Sequence, residues 1–142
     1  MTDKKKHREV HIENRKARFD YEFLETYVAG LVLTGPEVKA IRAGHVSLAD
    51  AFCWFVQYEL WTNNLNITIE GAQKNIKVLL TKKELKKLDK NLHDGLTIVI
   101  RKLFTQNGRI KAEIALARGK KNYDKRQTIK ERDIQRELNR KQ

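Results

Sequence analysis

Polar and apolar residues alternate along residues 21–33 of this chain. Alternation with a period of two is typical of a β-strand that buries one of its faces. Glu22 and Glu25 do not fit one uninterrupted alternation, and a bulge near Leu24 accounts for both. The pattern therefore predicts a long, half-buried strand with one bulge.

Further strand patterns lie between residues 46 and 117. They predict a hairpin of 51–56 with 60–65, short strands near Ile67 and over 76–80, and a final pair, 96–104 and 109–117. The final pair flanks Gln106-Asn107-Gly108, which favours a tight turn because Asn and Gly accept positive φ. About six mostly antiparallel strands in so short a chain favour a small barrel, since closure removes exposed strand edges.

Two stretches have the residue spacing of short helices. One begins at Pro36, which loses no hydrogen bond in a first helical turn, and ends at Gly44. The other follows a capping box of Thr81 and Glu84, and its apolar stripe consists of Leu85, Leu88 and Leu92. The sequence thus predicts a mainly β fold with two or three short helices.

The charge of the chain is strongly basic and unevenly distributed. Thirty lysines and arginines stand against 18 acidic residues, which gives a net charge of +12. Such a surplus attracts polyanions, because cations that neutralise phosphates release condensed counterions. Half of it lies in residues 118–142, a segment too poor in apolar residues to offset the entropy of ordering itself. We expect a basic N-terminal arm (1–13), a barrel (14–118) and a basic tail (119–142) that is disordered until it meets a partner.

The tail has a binding pattern of its own. Gly119–Arg126 combines four cations with Tyr123, so that phosphates are held while the ring stacks on an unpaired base. A second capping box begins at Thr128, and Ile134 and Leu138 follow on one helical face. The segment is a latent helix with too little apolar area to be stable alone.

Catalytic and metal sites find no support in the sequence. The four histidines share no metal-ligand spacing, and Ser47, the only serine, lacks the context of a nucleophile elbow. Cys53 is the only cysteine, so we expect a small core residue. No apolar run approaches the roughly 20 residues of a spanning helix. We expect no enzyme, no cofactor, no metal and no membrane partner.

RNA binding fits the composition better. Asn14–Arg18 places three cations and an amide within five residues, and Lys39 and Arg42 project from one face of the first predicted helix. An adaptor for structured RNA and a generic single-stranded RNA-binding barrel are both compatible with these features. The second class needs aromatic residues on the barrel surface, whereas most aromatics here fall at expected core positions. A barrel-fold nuclease needs clustered carboxylates and a metal ion.

Three stretches together resemble the family of SsrA-binding proteins, SmpB: Asn14–Arg18, the run from Ala29 to Gly44, and Gly119–Arg126. The likeness runs in order from about residue 10 to residue 142. It implies an oligonucleotide-binding (OB-fold) barrel that binds the tRNA-like domain of transfer-messenger RNA. It also implies a cytoplasmic monomer that delivers this RNA to stalled ribosomes for rescue and tagging of the nascent chain, called trans-translation. The tail would enter the decoding centre and the empty message channel as a helix.

The resemblance assigns roles to particular residues. RNA contacts are expected at Asn14, Arg15, Lys16, Arg18, Glu37, Lys39, Arg42, Lys77 and Leu79. Contacts in the decoding centre are expected at Gly119, Lys120, Lys121, Tyr123, Asp124, Lys125, Arg126, Ile129, Lys130 and Ile134.

Overall fold

The computed structural model describes residues 9–120 of the chain, which form nine strands and three helices. The strands are β1 (His11–Glu13), β2 (Tyr21–Leu31), β3 (Val46–Ser47), β4 (Phe52–Val56), β5 (Glu59–Asn63), β6 (Asn66–Ile67), β7 (Asn75–Leu79), β8 (Leu96–Gln106) and β9 (Arg109–Gly119). The helices are α1 (Arg15–Asp20), α2 (Gly35–Arg42) and α3 (Lys82–Asn91).

Six of the strands close into an antiparallel barrel. Their order is β8–β4–β5–β7–β2–β9, and the pairing of β9 with β8 completes the ring. Strand β1 pairs with the C-terminal half of β8, whereas β4 pairs with its N-terminal half. Strands β3 and β6 form a separate two-stranded sheet. The predicted mainly β fold with a barrel of about six strands is confirmed.

Two local features of the barrel follow directly from the sequence. Asn107 and Gly108 form the β8–β9 turn with φ values of 52° and 74°, the left-handed conformation that a two-residue hairpin requires. The register of β2 against β9 shifts between Phe23 and Glu25, which places the bulge at Leu24 as predicted. Leu24 is left exposed, because the bulge interrupts the alternation.

The barrel interior consists of aliphatic side chains from all sides of the ring. The helices contribute Ala40 and Ile41 of α2 and Leu88 of α3 to the same cluster. Burial of each such side chain contributes about 1.5–3 kcal/mol to stability. The strand residues that are 2% exposed or less include Leu60, Ile76, Val78, Ile98, Ile100 and Ile114.

Helix α3 begins at its predicted capping box and is held to β2 at its other end. The Thr81 hydroxyl accepts from the Glu84 N–H at 3.2 Å, and the Glu84 carboxylate accepts from the Thr81 N–H at 3.1 Å. At the far end, the Asn91 amide donates to Glu25 at 2.9 Å, and the Tyr27 hydroxyl donates to the same carboxylate at 2.7 Å. These contacts and the burial of Leu88 keep α3 against the barrel.

The N-terminal part of the chain is more ordered than the predicted arm. His11–Glu13 pairs with Lys102–Phe104 of β8, and Val10 is buried. The prediction of a basic arm is therefore wrong for residues 10–13. The segment is too short for the alternation of Val10 and Ile12 to indicate a strand, and its pairing depends on a strand some 90 residues away.

Helix α1 packs on the outside of the barrel, where no helix was predicted. Its Ala17 contacts a cluster of small buried residues on β8 and β9: Val99, Ala115 and Ala117. Small side chains on both elements allow the close approach that excludes water there. The outer face of β8 and β9 is thus covered at one end and open at the other.

Strand β9 is longer than predicted. It was expected to end near Ala117, but Gly119 still pairs with Tyr21, and the Lys120 N–H donates to the Asp20 carbonyl at 2.8 Å. The barrel therefore extends to residue 120, at the limit of the described residues.

Glu37 is fully buried at the start of α2. Its carboxylate accepts from the Thr34 N–H at 2.8 Å, and from the N–H and side-chain amide of Gln73 at 2.8 and 2.7 Å. Burial raises the pKa of Glu37, but these donors lower it by more, and the resulting pKa lies below the ordinary glutamate value. The carboxylate thus caps α2 and ties it to the loop before β7.

We expect Glu37→Gln to reduce the free energy of unfolding at neutral pH by about 1–3 kcal/mol, because an amide turns a donor toward groups that donate. The depressed pKa means that the wild-type carboxylate stabilises the fold above the ordinary glutamate pKa of about 4.3. This contribution is lost as pH falls through the lower folded-state pKa. The difference in the free energy of unfolding between the wild type and Glu37→Gln should therefore become smaller at acidic pH. Urea unfolding at neutral and acidic pH measures this difference. A difference that does not change with pH would contradict a stabilising role of the ionised carboxylate.

Candidate nucleic-acid interface

Three cations predicted to contact RNA lie on the solvent side of α1. Arg15, Lys16 and Arg18 are exposed, while Ala17 between them is buried against the barrel. The packing of Ala17 therefore determines that the helix turns its cations outward. An RNA backbone has access to all three.

Asn14 holds this helix in place. Its side-chain oxygen accepts from the Ala17 N–H at 3.0 Å, and its amide nitrogen donates to the carbonyls of Leu48 at 2.8 Å and Ile100 at 2.9 Å. Only 4% of Asn14 is exposed, and the predicted RNA contact at this residue stays a prediction. In this structure Asn14 caps α1 and joins it to the barrel.

Acidic neighbours partly balance the cations of α1. Lys16 lies 2.9 Å from the Asp50 carboxylate, which raises the pKa of Lys16 through a hydrogen bond and through its charge. Arg18 lies 3.7 Å from Glu13. Both pairs are exposed and worth little to stability, so an RNA phosphate can compete for these cations.

The start of the predicted tail lies beside α1. The Lys120 ammonium donates to the Arg18 carbonyl at 3.1 Å, in the last turn of the helix, where a cation is favourable. Gly119 is exposed at the end of β9. Residue 120, the last that the structure describes, therefore lies next to the basic helix.

A second group of cations lines an open cleft near the β8–β9 turn. Arg42 of α2, Leu79 of β7, and Arg109 and Lys111 of β9 all face it, and Gly30 forms part of its wall. Arg42 donates to the Gly108 carbonyl at 2.9 Å, which orients the guanidinium across the turn. Two predicted residues, Arg42 and Leu79, are thus brought together from separate elements.

Strand register assembles this cleft. Gly30 of β2 pairs with Leu79 on one side and with Lys111 on the other. A methyl group at Gly30 would lie 3.4 Å from the Leu79 Cβ and 3.7 Å from the Lys111 Nζ. Lys111 was missed from the sequence, because it is one of many lysines in the chain and no motif marks it. The pairing of β9 with β2 is what distinguishes it.

The other residues predicted to bind RNA have different surroundings. Glu37 is buried and its carboxylate oxygens accept hydrogen bonds within the protein, and its predicted RNA contact stays a prediction. Lys39 is exposed on α2 but does not line the cleft. Lys77 shares the outer face of β7 with Leu79, and lies 2.6 Å from Glu59. The hydrogen bond and the charge of Lys77 hold the pKa of Glu59 below its ordinary value.

The remaining residues predicted for the decoding centre lie outside the described residues: Lys121, Tyr123, Asp124, Lys125, Arg126, Ile129, Lys130 and Ile134.

The expectation about aromatic residues is wrong. Of the ten aromatics within residues 9–120, only Tyr27 is buried. Phe52 is 37% exposed and Tyr58 is 91% exposed. Trp54 and Trp61 are half-buried on the outer face of β4 and β5, opposite the inward Cys53 and Leu60. The expected lack of surface aromatics therefore no longer argues against contact with unpaired bases.

Metal binding, membrane spanning and thiol catalysis have little support in the described residues. Within residues 9–120, no three His, Cys, Asp or Glu side chains group as metal ligands, and no helix has the length and apolar character to cross a bilayer. Cys53 is a core residue, as predicted, and burial raises the pKa of its thiol to about 12. The thiol is thus protonated at neutral pH and unsuited to act as a nucleophile.

Comparison with known proteins gives matches over nearly the whole chain. The family model described as "SmpB protein" matches residues 11–142. The SsrA-binding protein of Phocaeicola vulgatus is 48% identical, over 92% of this chain and 94% of the relative. That of Cytophaga hutchinsonii is 48% identical over 99% and 98%, and that of Streptomyces coelicolor is 46% identical over 96% and 92%.

The fold agrees with these matches. A chain of the solved structure described as "tmRNA-SmpB: a journey to the center of the bacterial ribosome" is 42% identical. It superposes with a TM-score of 0.65, covering 79% of this chain and 85% of that one. A match of this extent in both sequence and fold shows that the chain belongs to the SmpB family of SsrA-binding proteins.

Proposed function

We propose that this chain binds the tRNA-like domain of transfer-messenger RNA and delivers it to stalled ribosomes for trans-translation. It acts in the cytoplasm as a non-catalytic adaptor and as a monomer. The observation that carries this proposal is the similarity to SsrA-binding proteins over nearly the full length of both chains. The 42% identity to the SmpB of the solved structure supports the ribosomal step.

The arrangement of cations supports RNA binding by the barrel. Ala17 of α1 packs on Ala117 of β9, and Lys111 of the cleft lies on the same outer face of β9, six residues away. At about 3.3 Å per residue, the two positions are separated by roughly 20 Å. A single outer face of the barrel thus presents two basic sites, which engage separate backbone segments of one folded RNA.

The tail supplies the ribosomal contacts in this proposal. It leaves the barrel beside α1, where Lys120 is anchored, so that RNA bound there is close to the base of the tail. Its latent helix folds only against the decoding centre and the message channel, where ribosomal RNA covers its apolar face. The barrel therefore holds the transfer-messenger RNA while the tail occupies the place of a message.

We expect the triple substitution Arg15→Ala, Lys16→Ala and Arg18→Ala to weaken binding of the tRNA-like RNA. The dependence of affinity on salt should flatten by up to about one unit of slope per lost phosphate contact. Gel-shift titration at several salt concentrations measures both quantities. The control removes three exposed lysines of α3, Lys83, Lys87 and Lys90, and has the same net charge. Equal losses in the two proteins would mean that α1 acts only through net charge.

Lys111→Ala tests the cleft. We expect weaker binding of the tRNA-like RNA and a salt slope smaller by up to about one unit, because one phosphate contact is lost. Lys83→Ala, a single exposed lysine outside the cleft, serves as the control and should bind like the wild type. A Lys111→Ala protein with wild-type affinity and slope would remove the cleft from the interface.

Deletion of residues 121–142 tests the division between barrel and tail. The deletion removes 8 of 30 basic residues but leaves β9 and the Lys120 contacts in place. We expect the truncated protein to bind the tRNA-like RNA but to fail in tagging on stalled ribosomes. Ile129→Lys with Ile134→Lys in the full chain adds charge while removing two of the three apolar side chains of the latent helix, and should also abolish tagging. Normal tagging by either protein contradicts a helical tail in the decoding centre.

A further inference from the structure

The outer face of β4 and β5 carries an aromatic surface that neither basic site uses. Phe52 and Trp54 lie on β4 with ring centroids 5.6 Å apart, tilted by 39°, and Trp54 pairs directly with Trp61 of β5. Their neighbours Cys53 and Leu60 point inward, so these three rings point outward. We call Phe52, Trp54 and Trp61 the aromatic face.

Packing of the core does not account for these rings. Neither indole packs against the hydrophobic core cluster, and Phe52 is more than one third exposed. Three adjacent outward rings expose apolar area that marks a binding surface when polar residues surround it. The polar surroundings here include Lys77, which pairs with Trp61 in the sheet and bridges to Glu59.

The aromatic face continues the basic surface of α1. Phe52 pairs with Val99 of β8, and Val99 belongs to the cluster on which Ala17 of α1 packs. Asp50, two residues before Phe52, binds Lys16 of α1 at 2.9 Å. Cations lie at both ends, on α1 at one and at Lys77 at the other, with the rings between them. Alternation of cations with stacking rings is how proteins hold unpaired nucleotides.

We infer that the aromatic face stacks unpaired loop nucleotides of the same RNA whose backbone α1 binds. The inference rests on the proposed function, because it takes the RNA bound to α1 to be the tRNA-like domain. The rings alone suit either a base or an apolar side chain of a protein. The positive charge at both ends favours an RNA loop, because its phosphates are attracted to these cations. The phosphates on either side of the stacked bases lie against Lys16 and Lys77, which exchange their carboxylate partners for them.

Both tryptophans of the chain belong to the aromatic face, so the tryptophan fluorescence of the protein reports on this surface alone. Stacking of a base on an indole quenches its emission. Titration of the full chain with the tRNA-like RNA should give saturable quenching, whereas a perfectly paired RNA duplex of equal length should leave the emission unchanged. Equal quenching by the duplex, or none by the tRNA-like RNA at saturation, would overturn the inference.

Substitutions then measure what the rings contribute. Phe52→Leu and Trp54→Leu should each weaken binding of labelled tRNA-like RNA by about 5- to 150-fold if a base stacks there, as followed by fluorescence anisotropy. Tyr58→Leu, which removes a more exposed ring at the β4–β5 turn, is the control and should bind normally. Phe52→Leu is the milder change, and its thermal unfolding checks that the barrel is retained.

The outcomes separate this inference from the proposed function. Failure of the wild-type chain to bind the tRNA-like RNA refutes the proposed function itself. Normal binding with unquenched tryptophans refutes the stacking surface alone. Normal RNA binding by folded Trp54→Leu together with a loss of tagging would assign the surface to a ribosomal or protein contact, and also overturns the inference. Three results together support the stacking surface: quenching by the loop-containing RNA only, weaker RNA binding by Phe52→Leu and Trp54→Leu, and normal binding by Tyr58→Leu.

Discussion

The pairing of β9 with both β2 and β8 is the interaction on which the rest of this protein depends. β9 pairs along its length with β2 on one edge and with β8 on the other, and so closes the barrel. Closure buries the aliphatic interior and leaves none of the ring strands with a free edge. It also determines the outer surface, because the residues of β9 that face away from the core include those that line the cleft and those that support α1. Lys111, Ala115 and Ala117 alternate along this one strand.

Buried polar side chains hold the functional elements to this frame. Asn14 joins α1 to carbonyls of residues 48 and 100, and Glu37 joins α2 to the loop that leads into β7. Each side chain makes several hydrogen bonds, so its burial is compensated. Both lie in stretches that resemble the family's RNA-binding segments, and both hold in place a helix that carries exposed cations.

The three surfaces of the barrel suit different parts of a folded RNA. The cations of α1 and of the cleft suit backbone phosphates, because guanidinium and ammonium groups neutralise charge without reading bases. The aromatic face suits unpaired bases, since stacking needs an exposed base plane. A tRNA-like fold presents both kinds of group within a short distance. The position of Lys120 beside α1 brings the end of the described chain close to the cations of that helix.

The local elements could be predicted from the sequence because their causes are local. Alternation gave the strands, the Asn107-Gly108 dipeptide gave the β8–β9 turn, and the pair Thr81 and Glu84 gave the start of α3. The basic surplus and the three family-like stretches indicated RNA binding. The strands, the turn and the helix start depend on residues a few positions apart in the sequence. The steric and hydrogen-bonding preferences of such residues act whatever the tertiary surroundings.

Only the tertiary structure decided which of the candidate residues meet in space. Asn14 and Glu37 look like accessible polar residues in the sequence, but the groups that bury them come from residues 48, 73 and 100. Lys111 is one lysine among many until strand register places it beside Gly30 and Leu79. The tryptophans looked like core residues because hydrophobicity does not say which face of a strand turns inward. That choice was made by closure of the barrel, whose interior is filled by smaller aliphatic side chains and leaves the indoles outside.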